Sequence, residues 1–205
     1  MTRDFKFSSE FSDFGFGFRN RQGIAVIGTT PRGKVTIPNL HATITSEQLR
    51  TPTQNYRALI GHASHEELSD VKKLSFPAVC VRGIFAKRAN NSLTSLTKYI
   101  PIDIDGLASP EESREIQKML IGDPHLDVAL SFTSPSFGAK VIVELPDWCA
   151  DLDPKGWYGM IADHIAMAHG IRCDSACKDL ARATLICWDP QAYMNPKYHN
   201  YTNIK

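Results

Sequence analysis

From Tyr99 onward the chain alternates short apolar runs with helical periodicity, in an order that few folds accommodate. Tyr99–Asp105 (YIPIDID) has the length and branched-residue content of a strand. Ser109-Pro110-Glu111-Glu112 reads as a capping box with proline at the first helical position. Ile116, Met119 and Leu120 continue that helix, and Gly122 stops it. His125–Thr133 and Ala139–Leu145 read as two strands joined by Ser134-Pro135-Ser136-Phe137-Gly138. Asp153-Pro154 opens a second helix with an apolar face of Trp157, Met160, Ile161, His164, Ile165 and Ala168, ended by Gly170. Ala183–Trp188 (ATLICW) reads as a last strand. The resulting β-α-β-β-α-β order predicts an α+β fold: a four-stranded antiparallel sheet with two helices on one face, the ferredoxin-like or RRM-like arrangement.

Residues 1–22 form a Phe-rich N-terminal extension, residues 23–98 a smaller α/β module, residues 99–196 the RRM-like module, and residues 197–205 a tail. The extension holds Phe5, Phe7, Phe11, Phe14, Phe16 and Phe18, and the alternation at 14, 16 and 18 is strand-like, which favours packing on the domain. Residues 23–28 and 34–37 read as strands around a turn at Thr29–Gly33. Residues 45–73 are helix-compatible, with a cap at Ser64 or Ser46. Residues 77–86 read as a buried strand and Lys87–Lys98 as a polar loop. Gly28 to Lys34 matches G-x-x-x-x-G-K, but Val35 stands where a phosphate loop needs Ser or Thr. Val35-Thr36-Ile37-Pro38 also reads as strand rather than helix, so the motif is taken as a turn with two cations.

The 205 residues carry a formal net charge of +1, which taken alone argues against a nucleic-acid partner. The total conceals an asymmetry. Residues 1–100 hold 14 Lys/Arg and 7 Asp/Glu, net +7, while residues 101–205 hold 9 and 15, net −6. One half is suited to phosphates and the other to a cation. No run of about 18 apolar residues is present, so no membrane partner is expected. Five scattered cysteines without a secretory signal point to reduced thiols and a cytoplasmic location. His169, Cys173 and Cys177 are spaced by four, with Cys187 beyond. No CxxC pair supports zinc there, and buried free thiols are the favoured reading.

Asp103 and Asp105 stand two apart on one predicted strand, so their carboxylates share a face while Ile102 and Ile104 take the other. Two adjacent like charges raise each other's pKa, and a hard divalent cation relieves the repulsion. In the antiparallel order the first and third strands are neighbours, which brings Lys140 and the Ser134–Lys140 loop toward the pair. Small hydroxyls, a glycine and a lysine suit a triphosphate. Asp174, Lys178, Asp179 and Arg182 precede the last strand: either one carboxylate completes a metal site and Arg182 clamps phosphate, or the run is a short surface helix with an Asp179–Arg182 ion pair. Jointly these clusters form a constellation for nucleotidyl transfer with two Mg2+ or Mn2+ ions and a nucleoside triphosphate substrate.

The runs IDIDGL, SFTSPSFGAKVIV and DSACKDLARATLICWDPQAYMNP, with VKKLSFPAVCVRGIF upstream, resemble the VirE N-terminal-like domain family of the archaeo-eukaryotic primase (prim-pol) superfamily. The resemblance covers roughly residues 45–196. It implies an RRM-like catalytic module packed on a smaller α/β module, with a DxD-type acidic motif, an S-x-H-type nucleotide motif and a third acidic residue. Asp103 and Asp105 match the first motif. Ser134, Ser136, Gly138 and Lys140 match the second by position, although the histidine is absent. The third acid falls on Asp174, with Asp179 as runner-up, and Arg182 matches the arginine that contacts phosphate. The implied activity is primase-like transfer on single-stranded DNA in the replication of a mobile element, beside a helicase or other replication protein. Lys72, Lys73, Arg82, Lys87 and Arg88 are the candidate nucleic-acid track. The rival readings are an inactive or weakly active nucleic-acid-binding accessory domain and a metal-dependent nuclease using the same carboxylates.

Overall fold

The computed structural model describes residues 7–151 and 153–203; Phe5 and the end of the tail, residues 204–205, lie outside them. The fold is mixed α/β, with antiparallel pairing throughout its sheets. In chain order, β1 (Phe11–Phe16), β2 (Phe18–Arg19), β3 (Ala25–Val26) and β4 (Gly33–Val35) lead into helices α1 (Ile37–Thr45), α2 (Arg50–Leu59) and α3 (His65–Ser75). Strands β5 (Pro77–Cys80), β6 (Gly83–Phe85) and β7 (Leu93–Leu96) follow, then β8 (Tyr99–Ile104), α4 (Pro110–Ile121), β9 (Asp127–Thr133), β10 (Ala139–Glu144) and α5 (Pro154–His169). The chain ends with the short strands β11 (Thr184–Leu185) and β12 (Tyr193–Met194) and a 3-10 segment, Pro196–Asn203.

The first sheet has the order β11-β5-β1-β4 and the second β12-β9-β10-β8. Part of the Phe-rich segment is therefore the inner strand β1, with Phe11 and Phe14 buried, while Phe16 and Phe18 are exposed. One core cluster joins both sheets, packing Phe11, Val79 and helix residues Ile37, Leu40 and Ile44 with Leu130, Phe132 and Ile142. A second cluster sets Ile100, Ile102, Ile104, Val141 and Val143 against Leu120 of α4 and Trp157, Ile161 and Ile165 of α5. Both faces of β8 and β10 are thus covered, and burial of each Ile contributes about 1.5–3 kcal/mol.

Local chemistry sets the helix ends. Ser64 Oγ accepts from the Glu67 amide and Glu67 Oε2 accepts from the Ser64 amide, a full capping box. At α4 the Ser109 hydroxyl accepts from the Glu112 amide, but Glu112 reaches Ala108 rather than Ser109, one residue off the expected box. On α5 the apolar line is Trp157, Ile161 and Ile165, at steps of four; Met160 and Ala168 lie beside it and are exposed.

Four expectations are corrected. Thr36 and Pro38 do not extend a strand: Thr36 caps α1 and Pro38 sits in its first turn, where a proline needs no amide partner. Residues 45–73 are broken after Thr45 and at Gly61, whose φ of +84° suits glycine. Residues 77–86 are two strands, and the loop 87–98 contains β7. Most consequentially, only Thr184–Leu185 of the expected last strand is paired, and it joins β5 in the other sheet. The free edge of β8 is taken instead by the Asp174 amide, which donates to the Asp103 carbonyl at 2.8 Å.

Asp189 ties the C-terminal segment to this sheet. It is 2% exposed, pairs with Arg114 of α4 through both carboxylate oxygens, and accepts from the Thr133 amide at 2.7 Å. Asp189→Ala strands a cation and a buried amide. The expected loss is about 3 kcal/mol, the low end for a broken buried pair because Arg114 keeps some access to water. Urea denaturation of the two proteins measures it.

Candidate functional site

Asp103 and Lys140 are register partners on β8 and β10. Their side chains form an ion pair, Lys140 Nζ donating to Asp103 Oδ2, and each residue is only 9% exposed. Burial opposes the ammonium, but the Asp103 carboxylate outweighs it and holds Lys140 above its ordinary pKa. The second carboxylate oxygen of Asp103, Oδ1, is buried without a hydrogen-bond partner among the described residues. An orphaned buried carboxylate oxygen is costly, and its usual occupant is a donor or a cation.

The backbone bond to Asp103 places Asp174 beside it. Asp174 also caps the 3-10 turn Ser175–Lys178, its Oδ1 accepting from the Ala176 amide at 3.0 Å. Its Oδ2 accepts from Arg182 Nη2 at 3.2 Å, and its carbonyl accepts from the Tyr158 hydroxyl at 2.7 Å. One ligand atom each from Asp103, Asp174 and Cys177 lie within 4.8 Å of one another. Cys177 is a poor partner for a hard cation, since burial and Asp103 push its thiol up to about 12. Asp103, Lys140, Cys177, Arg182 and Thr184 line a crevice with room for about one water molecule or ion.

Asp105 lies one residue past the end of β8 and is exposed. Burial of part of its surroundings and then Asp103 raise its carboxyl pKa, which Lys140 and Lys72 offset only in part. Gly138 packs directly on it. A Cβ there would stand 2.7 Å from the Ile104 carbonyl, 3.0 Å from Asp105 Oδ1 and 3.1 Å from Ser134 Oγ. The Ser134 hydroxyl is buried and has no partner among the described residues, a second open polar atom near Asp105. The loop is held from α2: Tyr56 bonds Ser136 Oγ at 2.8 Å, Arg57 donates to the Ser134 carbonyl at 3.3 Å, and the Arg57 guanidinium lies over Phe137. Phe137 adopts φ +68°, strained backbone for an aromatic residue.

Of the candidate residues, Asp103, Asp105, Asp174, Ser134, Gly138, Lys140 and Arg182 converge. Lys178 and Asp179 are exposed, and Asp179 serves its own turn, accepting from the Arg182 and Ala181 amides. The five basic residues do not form one track. Arg82 is wholly buried, stacked over Trp157 and donating to the Pro154 carbonyl at 2.6 Å, which removes it from any surface contact. Arg88 is tied to the Gly28 and Ile27 carbonyls, Lys73 lies 4.0 Å from Asp70, and Lys87 is exposed. Lys72 joins the acidic site instead: burial and Lys140 lower its pKa, while Asp105 and Asp103 pull it back. All five cysteines are free thiols, and His169 is not grouped with Cys173, Cys177 or Cys187. Tyr56 and Arg57 carried no sequence signal, and Cys177 stands out in sequence only for its spacing to His169 and Cys173; only the fold brings the first two to the loop and the thiol to the acids.

The chain belongs to the BT4734-like N-terminal domain family, whose model matches residues 69–194, a span that includes Lys72, the acidic residues and the Ser134–Gly138 loop. No curated protein and no solved structure matches the chain significantly.

A carboxyl whose pKa rises on folding binds its proton more tightly in the native chain. Its contribution is favourable below the unfolded value and is lost as pH rises. Asp105→Asn is therefore expected to raise the melting temperature at pH 7, the gain shrinking as pH falls toward about 4. Gly138→Ala forces Ile104, Asp105 and Ser134 apart and is expected to cost about 1–3 kcal/mol in denaturant melts.

Proposed function

We propose that the chain is a primase-like nucleotidyltransferase domain of the prim-pol type, with Asp103, Asp105 and Asp174 as its metal-holding acids. The observation that carries this reading is the meeting of Asp103 and Asp174, 71 positions apart, where Asp103 keeps a buried carboxylate oxygen with no donor among the described residues. The β8-α4-β9-β10-α5 order, with β10 between β8 and β9 and both helices on one face, supports an RRM-like reading of this half. The departure is the fourth strand, whose place beside β8 is held by the Asp174 segment.

The donor set fits Mg2+ or Mn2+: carboxylate oxygens from three positions, one of them without a partner, and a thiol that stays protonated. When bound, such a cation polarises the α-phosphate and lowers the pKa of the attacking hydroxyl. The chain's own groups do the rest. The crevice at Asp103 is too small for a nucleotide, so a nucleoside triphosphate lies outside it, toward Asp105 with its neighbours Lys72 and the Ser134–Gly138 loop. Lys140, held charged by Asp103, is the nearest buried ammonium for a phosphate oxygen. Arg182 is 44% exposed in its side chain and turns its guanidinium toward the same acids. Ser134 offers an unused hydroxyl. Lys87 and the surface of the basic front half remain for single-stranded DNA, with a helicase or other replication protein as companion and the cytoplasm as the setting.

A second reading, nucleotide or DNA binding without turnover, is favoured by one observation. Lys140 and Arg182 already neutralise Asp103 and Asp174, so a cation must compete with two resident ones. Incubation with single-stranded DNA, labelled nucleotides and Mn2+ separates the readings. Extension or dinucleotide synthesis that is lost in Asp103→Ala/Asp105→Ala is the expected result. Degradation of the DNA marks a nuclease. Tight DNA binding without product in either protein refutes the enzyme and leaves the binding reading.

A further inference from the structure

A second cluster lies outside the acidic site. Asp123 stands in the turn after α4, and its side chain is 3% exposed. Both His164 and His169 of α5 place Nε2 on the same oxygen, Asp123 Oδ2, at 2.8 and 2.7 Å. The other oxygen, Oδ1, accepts from the His125 amide at 2.8 Å, which orients the carboxylate. The His125 ring meets the His164 ring edge to face at 5.4 Å between centroids. Every supporting element is firm. The Asp123 turn is closed by hydrogen bonds to Leu120 and from Leu126, and α5 stops at Gly170, whose φ is +68°.

Three side chains pointing their ligand atoms at one spot are more than a surface contact requires. One donor suffices for a carboxylate oxygen already supported by a backbone amide on its twin. Two imidazoles and a carboxylate, all within 4.8 Å and with no thiol among them, form a set for a borderline divalent cation. Tetrahedral zinc with bonds of about 2.0–2.1 Å separates its ligand atoms by about 3.3 Å. Opening each N···O contact by about half an ångström reaches that spacing, a side-chain adjustment rather than a backbone one. His164 and His169 are 29% and 16% exposed in their side chains, so an ion has a way in from solvent while Asp123 is already desolvated. The site also has something to hold: it joins the end of α5 to the α4–β9 turn, and α5 carries the Tyr158 hydroxyl that supports Asp174.

We propose that Asp123, His164 and His169 form a zinc site that clamps the C-terminal end of α5 to the turn after α4, with His125 or a water molecule completing the shell. The site is independent of the acids at Asp103 and Asp105. Its nitrogen ligands separate it from the Asp103-Asp174-Cys177 group, which holds no imidazole.

The test uses the full chain, stripped with chelator and titrated with Zn2+, followed by X-ray absorption of the zinc-loaded protein. The expected result is one tightly bound equivalent, a nitrogen and oxygen shell with the scattering pattern of two or more imidazoles, and a melting temperature raised by zinc. Asp103→Ala/Asp105→Ala retains all three properties. His164→Gln/His169→Gln keeps amide donors for Asp123 and so keeps the clasp, and its circular dichroism checks the fold. It is expected to bind zinc more weakly by more than the ~10–100-fold that loss of a supporting partner costs. Sulfur in the shell, zinc binding unchanged in the double glutamine variant, or no stoichiometric binding by the unmodified chain each overturns the proposal and leaves a hydrogen-bonded clasp.

Discussion

The buried pair of Asp103 and Lys140 is the constraint on which the site depends. Two opposite charges stand directly across β8 and β10, and both faces of those strands are covered by core. Removing such charges from water costs several kcal/mol per ion, and their mutual attraction repays that only with good geometry. A pair of apolar residues would pack there more cheaply. The pair's persistence with one carboxylate oxygen still unmatched sets it apart from a structural salt bridge, whose lone pairs are normally filled.

The surroundings follow from that position. Asp103's outer edge is closed by the Asp174 amide, so the segment beside β8, in the place expected of a fourth strand, delivers a second carboxylate and Arg182 instead. The chain then leaves to pair with β5 in the first sheet, which brings α3, and with it Lys72, over the same place. Gly138 lets the 134–138 loop press against Asp105, and α2 holds the loop through Tyr56 and Arg57. The acids are thus assembled from the second half of the chain and balanced by cations from both halves. Lys72 is the front-half cation that reaches this seam, beside Lys140 and Arg182 from the second half.

Local readings succeeded where the cause is local. The cap at Ser64, the strands Tyr99–Ile104 and Ala139–Glu144, and the helix ends at Gly122 and Gly170 follow from residues within a few positions of one another. The alternation of Ile102 and Ile104 with Asp103 likewise follows from strand periodicity. Reading failed where a distant segment decided the outcome. Ala183–Trp188 has strand composition, yet which sheet receives it depends on whether the β8 edge is free. Arg82 looks like a surface cation in sequence, and only the packing of Trp157 from α5 shows it to be buried.

By itself the sequence determined the run strand-helix-strand-strand-helix from Tyr99 to His169, the approach of Lys140 to the Asp103 strand and the presence of acids, small hydroxyls and cations in one half, because strand period and hairpin register are properties of neighbouring residues. The tertiary structure brings Asp174, the residue the resemblance put first, to Asp103, and it alone decided that Lys72 belongs to the acids rather than to a basic track and that His169 joins Asp123 and His164 rather than the cysteines. Each of those outcomes joins positions tens of residues apart, where no local periodicity operates and only the packing of sheets and helices sets the distance.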